Sequence, residues 1–104
     1  ELEVLESDRT VAKGRLSAFT PGTSELHDLL QADGIDTVIV TGTLTNVCCE
    51  STARDAMQRN YRVILAPDAN AALSDEAHAA TLESLAFAFA DLRSAAEIEA
   101  LLGA

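Results

Sequence analysis

Tryptophan is absent from this 104-residue chain, and one Tyr and three Phe are the remaining large aromatics. That leaves little flat surface for stacking on nucleobases. Basic residues are scarce too: 7 Lys and Arg stand against 17 Asp and Glu, for a net charge of −10. Such a balance repels a phosphate backbone or an anionic membrane, so neither nucleic acid nor membrane is expected as a partner. No apolar run approaches the ~18 residues of a membrane-spanning helix. Residues 1–8 are acidic and aperiodic, without the basic start and apolar core of a signal peptide. The two cysteines are adjacent, which does not make a disulfide framework; a reducing cytoplasm is the expected setting. Neither a His/Cys cluster with zinc-ligand spacing nor a Cys-x-x-Cys pair is present, and no metal or cofactor is expected of these residues.

What is present is an alternation of apolar strands and amphipathic helices. Thr10-Val11-Ala12-Lys13 reads as a short strand ended by Gly14, followed by a loop to Thr23 through Pro21-Gly22. Thr23 or Ser24 can cap a helix with Leu26, Leu29 and Leu30 on one face and Gly34 as its terminator. Asp36 to Thr41 is the best strand; its run Val38-Ile39-Val40 suits a parallel strand covered on both faces. After a turn at 42–45, a helix is expected over 46–60, capped by Thr45 or Asn46, with Val47, Ala53, Ala56 and Met57 inward. A second apolar strand, 61–66, should stop at Pro67 and lead into a loop over 68–74. Ser74 caps a helix with the stripe Leu82, Leu85 and Phe89. Asp91-Leu92-Arg93 is a short last-strand candidate, and Ser94-x-x-Glu97 is a capping box opening a final helix through Leu102. The pattern predicts one α/β domain, three layers with a parallel sheet, whose site lies at the carboxyl ends of the strands. Lys13, Cys48 and Asp68 all fall at or past strand ends on this reading.

Cys48 stands where a strand turns into a helix. A thiol near helix amides or a Lys is more readily the thiolate, and those amides can hold an oxyanion. Without more, a small buried hydrophobe explains it as well, and Lys13 is as well read as a solvated strand-end cation. His27 is expected at the surface, and no Cys–His spacing suggests a papain-like pair.

The run Thr41-Gly42-Thr43-Leu44-Thr45-Asn46-Val47-Cys48-Cys49-Glu50-Ser51-Thr52-Ala53-Arg54-Asp55-Ala56 closely resembles the isochorismatase-like cysteine hydrolases. The likeness continues through Asn60-Tyr61-Arg62-Val63-Ile64 and Asp68-Ala69-Asn70-Ala71, and upstream through Lys13-Gly14-Arg15-Leu16-Ser17-Ala18-Phe19. The resemblance implies a six-stranded, Rossmann-type parallel sheet and an Asp–Lys–Cys triad. Cys48 matches the nucleophile and Lys13 the lysine. It further implies a non-proline cis peptide at Thr43–Leu44 and an oxyanion site built from the backbone N–H groups of Leu44 and Cys48. Phe19 and Asn46 are the candidate substrate contacts, with Phe19 equally readable as a buried loop anchor. Cys49 is read as packing, and Arg54 and Asp55 as scaffold or interface pairs.

The implied activity is hydrolysis of C–N bonds in small amides or ureido and carbamoyl compounds through a thioester. The family's aspartate lies on a first strand for which this chain has no match; Asp8 directly precedes the lysine segment and is not taken for it. The resemblance therefore implies that residues 1–104 are the C-terminal portion of a single domain. Its first strand would sit beside the Cys48 strand, supplied by a missing N-terminal segment or, through homo-oligomer assembly, by a second chain. These residues alone are expected not to hydrolyse amides. The family's zinc-binding members take their ligands from the half not seen here. The alternative is a catalytically inactive fragment or family member serving as a binding or assembly module; a thiol redox module would rest on Cys48-Cys49 alone.

Overall fold

The computed structural model describes residues 2–103. The outermost residues of the expected lead-in and domain, Glu1 and Ala104, lie outside that range. Four α-helices, three strands and one π-helical turn follow in the order α1 (Leu26–Ala32), β1 (Thr37–Thr43), the π turn (Thr45–Cys49), α2 (Glu50–Gln58), β2 (Arg62–Ala71), α3 (Asp75–Ala88), β3 (Asp91–Leu92) and α4 (Ala95–Leu101). The strands form one parallel sheet in the order β1-β2-β3. Helical crossovers join both pairs, as parallel pairing requires. The α/β class with a parallel sheet is the one the sequence predicts.

Helix boundaries follow local chemistry. Gly34 at φ 69° and Asn60 at φ 70° each terminate a helix in the left-handed region. Around Gly34 the N–H of Ile35 reaches Leu30 O and that of Gly34 reaches Gln31 O; around Asn60 the same two bonds run from Tyr61 to Ala56 and from Asn60 to Met57. Both are Schellman closures, which satisfy carbonyls that a helix end would otherwise leave open. Ser74 Oγ accepts from Ala77 N, and Ser94 with Glu97 forms a complete capping box.

The core lies between α2, α3 and the β1–β2 side of the sheet. Leu65, Leu85, Ala53 and Ala56 expose no surface. The two alanines sit three residues apart on one face of α2, where small side chains let the helix approach the sheet closely. Leu82 and Phe89 pack partly buried against this cluster, as does Met57.

Four expectations are corrected. Thr10–Lys13 forms no strand; its one sheet-like contact is an isolated antiparallel bridge of Lys13 with Ser24, because these residues have no neighbouring strand to complete a ladder. β2 does not stop at Pro67 but runs on to Ala71, so Asp68 lies within a strand, where its Oδ1 accepts from Ala95 N at the start of α4. The register explains this: Val40 pairs with Leu65, and the next pairs are Gly42 with Asn70 and Thr43 with Ala71. Residues 66–69 therefore loop out of the ladder, and a proline there forfeits no ladder bond. Asn70 bridges the irregularity, its Nδ2 donating to Val40 O and Ala66 O. Residues 46–60 are not one α-helix: a π turn precedes α2, its N-cap is Leu44, and neither Thr45 nor Asn46 caps it. Finally, β1 is not fully covered on both faces: Ile39 remains 40% exposed. Along its edges, it pairs with β2 alone among the described residues.

Candidate active site

Cys48 lies in the π turn, five residues past the end of β1. The turn closes through Leu44 O, which accepts from Val47 N at 3.1 Å and from Cys49 N at 3.2 Å. The second of these bonds has the i→i−5 spacing of a π-helix, a geometry found most often as single turns near functional sites. The peptide bond between Thr43 and Leu44, which leads into the turn, is cis. Cys48 is half-buried and its thiol is free; Cys49 is free and buried in the core.

A cavity of about 540 Å³ runs along the open edge of β1 from Thr37 to Thr43, and both Cys48 and Lys13 line it. Apolar walls come from Leu26, Leu30 and Ile35, with Phe19, Ala18 and Thr52 closing one side. Apart from the two thiols, Lys13 is the single ionisable residue among the described residues of this lining. No Asp, Glu or His joins it.

Lys13 is held by its own loop: Nζ donates to Arg15 O at 3.0 Å and to Leu16 O at 3.2 Å. An ammonium has three protons, so one donor direction is left for a further partner. The loop in turn is pinned to α2. Ala18 N donates to Thr52 Oγ1, and Arg59 Nη2 donates to Phe19 O, both at 3.0 Å. One helix therefore follows the nucleophile candidate and also fixes the lysine loop. The charge of Lys13 reaches the turn: burial pushes the Cys49 thiol up from the ordinary range, the adjacent Cys48 adds to that, and Lys13 pulls the other way.

Phe19 is a buried anchor that also borders the cavity. Its ring packs 5.3 Å from Tyr61 and edge-on to His27. His27 is not a free surface residue; its Nδ1 lies 2.9 Å from Tyr61 Oη, which also accepts from Gln31 Nε2. Asn46 is exposed and lies outside the cavity lining. Arg54 pairs with Glu50 at 2.9 Å and stacks over Phe89, not with Asp55. Thr52 and His78 carry contacts around the turn that the sequence did not single out, and Thr45, expected as a helix cap, bonds His78 instead. A hydroxyl-to-imidazole contact across 33 residues has no periodic signature. Among the described residues no group of three or more His, Cys, Asp or Glu could hold a metal ion.

The Isochorismatase domain profile matches residues 1–97. The chain belongs to the isochorismatase family. Nicotinamidase 3 of Arabidopsis thaliana is 43% identical over 90 residues, which cover 86% of this chain and 44% of that protein. A ureidoacrylate amidohydrolase of Methylobacterium radiotolerans is 36% identical over 99 residues, covering 92% and 37%. An isochorismatase-like hydrolase from Alkaliphilus metalliredigens superposes with a TM-score of 0.86 at 36% identity, over 96% of this chain and 54% of that one. A hydrolase of the same family from Chromobacterium violaceum gives 0.88 at 29% identity, over 97% and 57%. The chain thus spans less than half the length of these two curated relatives. No helix among the described residues is long and apolar enough to cross a membrane.

Proposed function

We propose that this family member carries the nucleophile and the lysine of a cysteine amidohydrolase acting on C–N bonds of small amides or ureido and carbamoyl compounds. The observation that carries it is that Cys48 and Lys13 line one cavity along the open edge of β1. The similarity to a nicotinamidase and a ureidoacrylate amidohydrolase supports the substrate class.

The chemistry follows from those groups. A base takes the Cys48 proton, and the thiolate attacks the carbonyl carbon. The oxyanion that forms is held by the N–H groups of Leu44 and Cys48, with Lys13 compensating negative charge nearby. The nitrogen leaving group takes the proton as the C–N bond breaks, leaving a thioester. Water then attacks the thioester, releasing the acid and restoring the thiol. The cavity lining offers no carboxylate for the base. We assign that role to an Asp on a strand seated along the open edge of β1, from polypeptide beyond these residues or from a second subunit. Free adjacent thiols accord with a reducing, cytoplasmic setting.

A second reading, an inert binding or assembly module, is favoured by that same carboxylate-free lining. Turnover of nicotinamide, ureidoacrylate and simple carbamoyl compounds by the intact polypeptide separates the two. Cys48→Ser should lower kcat/KM by roughly 10³-fold or more, and Lys13→Ala by about 10²-fold. Absence of turnover of every compound, with intact folding, would favour the module.

A further inference from the structure

Behind the cavity, two side-chain hydrogen bonds tie α3 to the segment that carries Cys48. Thr45 Oγ1 and His78 Nδ1 share a hydrogen bond at 2.8 Å, and Thr81 Oγ1 donates to Glu50 Oε1, also at 2.8 Å. The two receiving positions bracket the thiol: Thr45 opens the π turn and Glu50 is the first residue after it. The two α3 positions are three apart, so their side chains leave one face of the helix together. Thr45 exposes no surface and Thr81 is also buried. Glu50 is fixed further, since its second oxygen accepts from Arg54 Nε at 2.9 Å. Neither His78 nor Thr81 lines the cavity, so neither can meet a substrate there.

A single π turn needs such support. Its i→i−5 bond encloses one more residue than an α-turn, and the competing α register is ordinarily preferred. Sliding to that register would rotate Cys48 relative to β1. We infer that His78 and Thr81 are positioning residues, a two-point clamp from α3 that holds the π turn and thereby aims the Cys48 thiol into the cavity. Their effect on catalysis rests on Cys48 being the nucleophile; their effect on the thiol's accessibility and reactivity does not. The imidazole serves through hydrogen bonding and not through charge. A hydroxyl can donate to a neutral Nδ1 or accept from a protonated one, so the bond is available in either state. An Asn amide can occupy the position of Nδ1 and should substitute for it in part.

The test uses the intact polypeptide with Cys49→Ala, so that one thiol of the turn remains. Two rates are read for His78→Ala, His78→Asn, Thr81→Val and Thr81→Ser: kcat and KM for the amide turned over best, and alkylation of Cys48 by iodoacetamide, followed by peptide mass. His78→Ala should lower kcat about tenfold or more with KM nearly unchanged, as expected when reacting atoms are misplaced and binding is not. Alkylation should slow about threefold or more, because a thiol rotated away from the cavity is less open to the reagent. Thr81→Val should act in the same direction more weakly. His78→Asn and Thr81→Ser should each recover most of both rates. Unchanged kcat and unchanged alkylation in a folded His78→Ala protein would overturn the clamp, as would a failure of both conservative variants to recover. If His78→Ala does not fold, Thr81→Val decides by the same two rates. If the parent hydrolyses no amide, the proposed function fails and the clamp stands or falls on alkylation alone.

Discussion

The two sides of β1 are built differently. Towards β2 the strand is paired at all positions but Thr41, and the helices behind it bury Leu65, Leu85, Ala53 and Ala56 completely. On the other edge lies the cavity, with Ile39 40% exposed and a lysine loop that reaches the rest of the molecule through Thr52 and Arg59. The finished side holds the turn that presents Cys48. The other edge carries no paired strand among the described residues, and the proposed function places substrate and a further strand there. The turn that presents Cys48 is thus braced within these residues, whereas the opposite edge of β1 is unpaired among them.

The largest effect should come from deleting core on the finished side. Leu65→Ala is expected to cost about 2–5 kcal/mol of stability, measured by urea denaturation. Ile39→Ala in this same chain should cost well under half of that, since much of its surface is already in water. An Ile39→Ala cost in the intact polypeptide equal to that of Leu65→Ala would show that another element covers the edge there. Equal costs in the 104-residue chain itself would break the comparison.

Smaller effects separate the loop from the scaffold. Thr52→Val removes the acceptor of Ala18 N and should cost about 1 kcal/mol, with faster proteolytic cleavage in residues 14–18. Ser94→Ala breaks the α4 capping box at a similar cost of about 1 kcal/mol but should leave that cleavage rate unchanged.

The smallest effect is electrostatic. The Cys49 thiol is held above its ordinary range, chiefly by burial. Above that ordinary range the unfolded chain loses the thiol proton while the folded chain retains it, so the unfolded state binds fewer protons and stability falls as pH rises. Denaturation across the alkaline range should show this decline, and Cys49→Ala should flatten it.

Much of this was legible in the residues because local chemistry decided it. Gly34, Asn60, Ser74 and the Ser94–Glu97 box mark helix ends by bonds made within a few residues. The apolar runs at 38–40 and 63–66 announced parallel strands. What escaped depended on partners far along the chain. β2 continues past Pro67 because β1 offers Gly42 and Thr43 as later partners and Asn70 seals the gap. Thr10–Lys13 has strand-like residues and no strand beside it. The π turn looked like the first turn of an ordinary helix, and its ties to His78 and Thr81 cross more than 30 residues. At the site, Cys48 and Lys13 were singled out and share a cavity, while Asn46 lies outside it.

The role of Cys48 is tested most directly by mass spectrometry of the acid-quenched intact polypeptide, in a Cys49→Ala background, during turnover of its best amide. The predicted result is an acyl group on the peptide containing Cys48, released by hydroxylamine and absent from Cys48→Ala. Turnover with no such adduct, undiminished in Cys48→Ala, would contradict it.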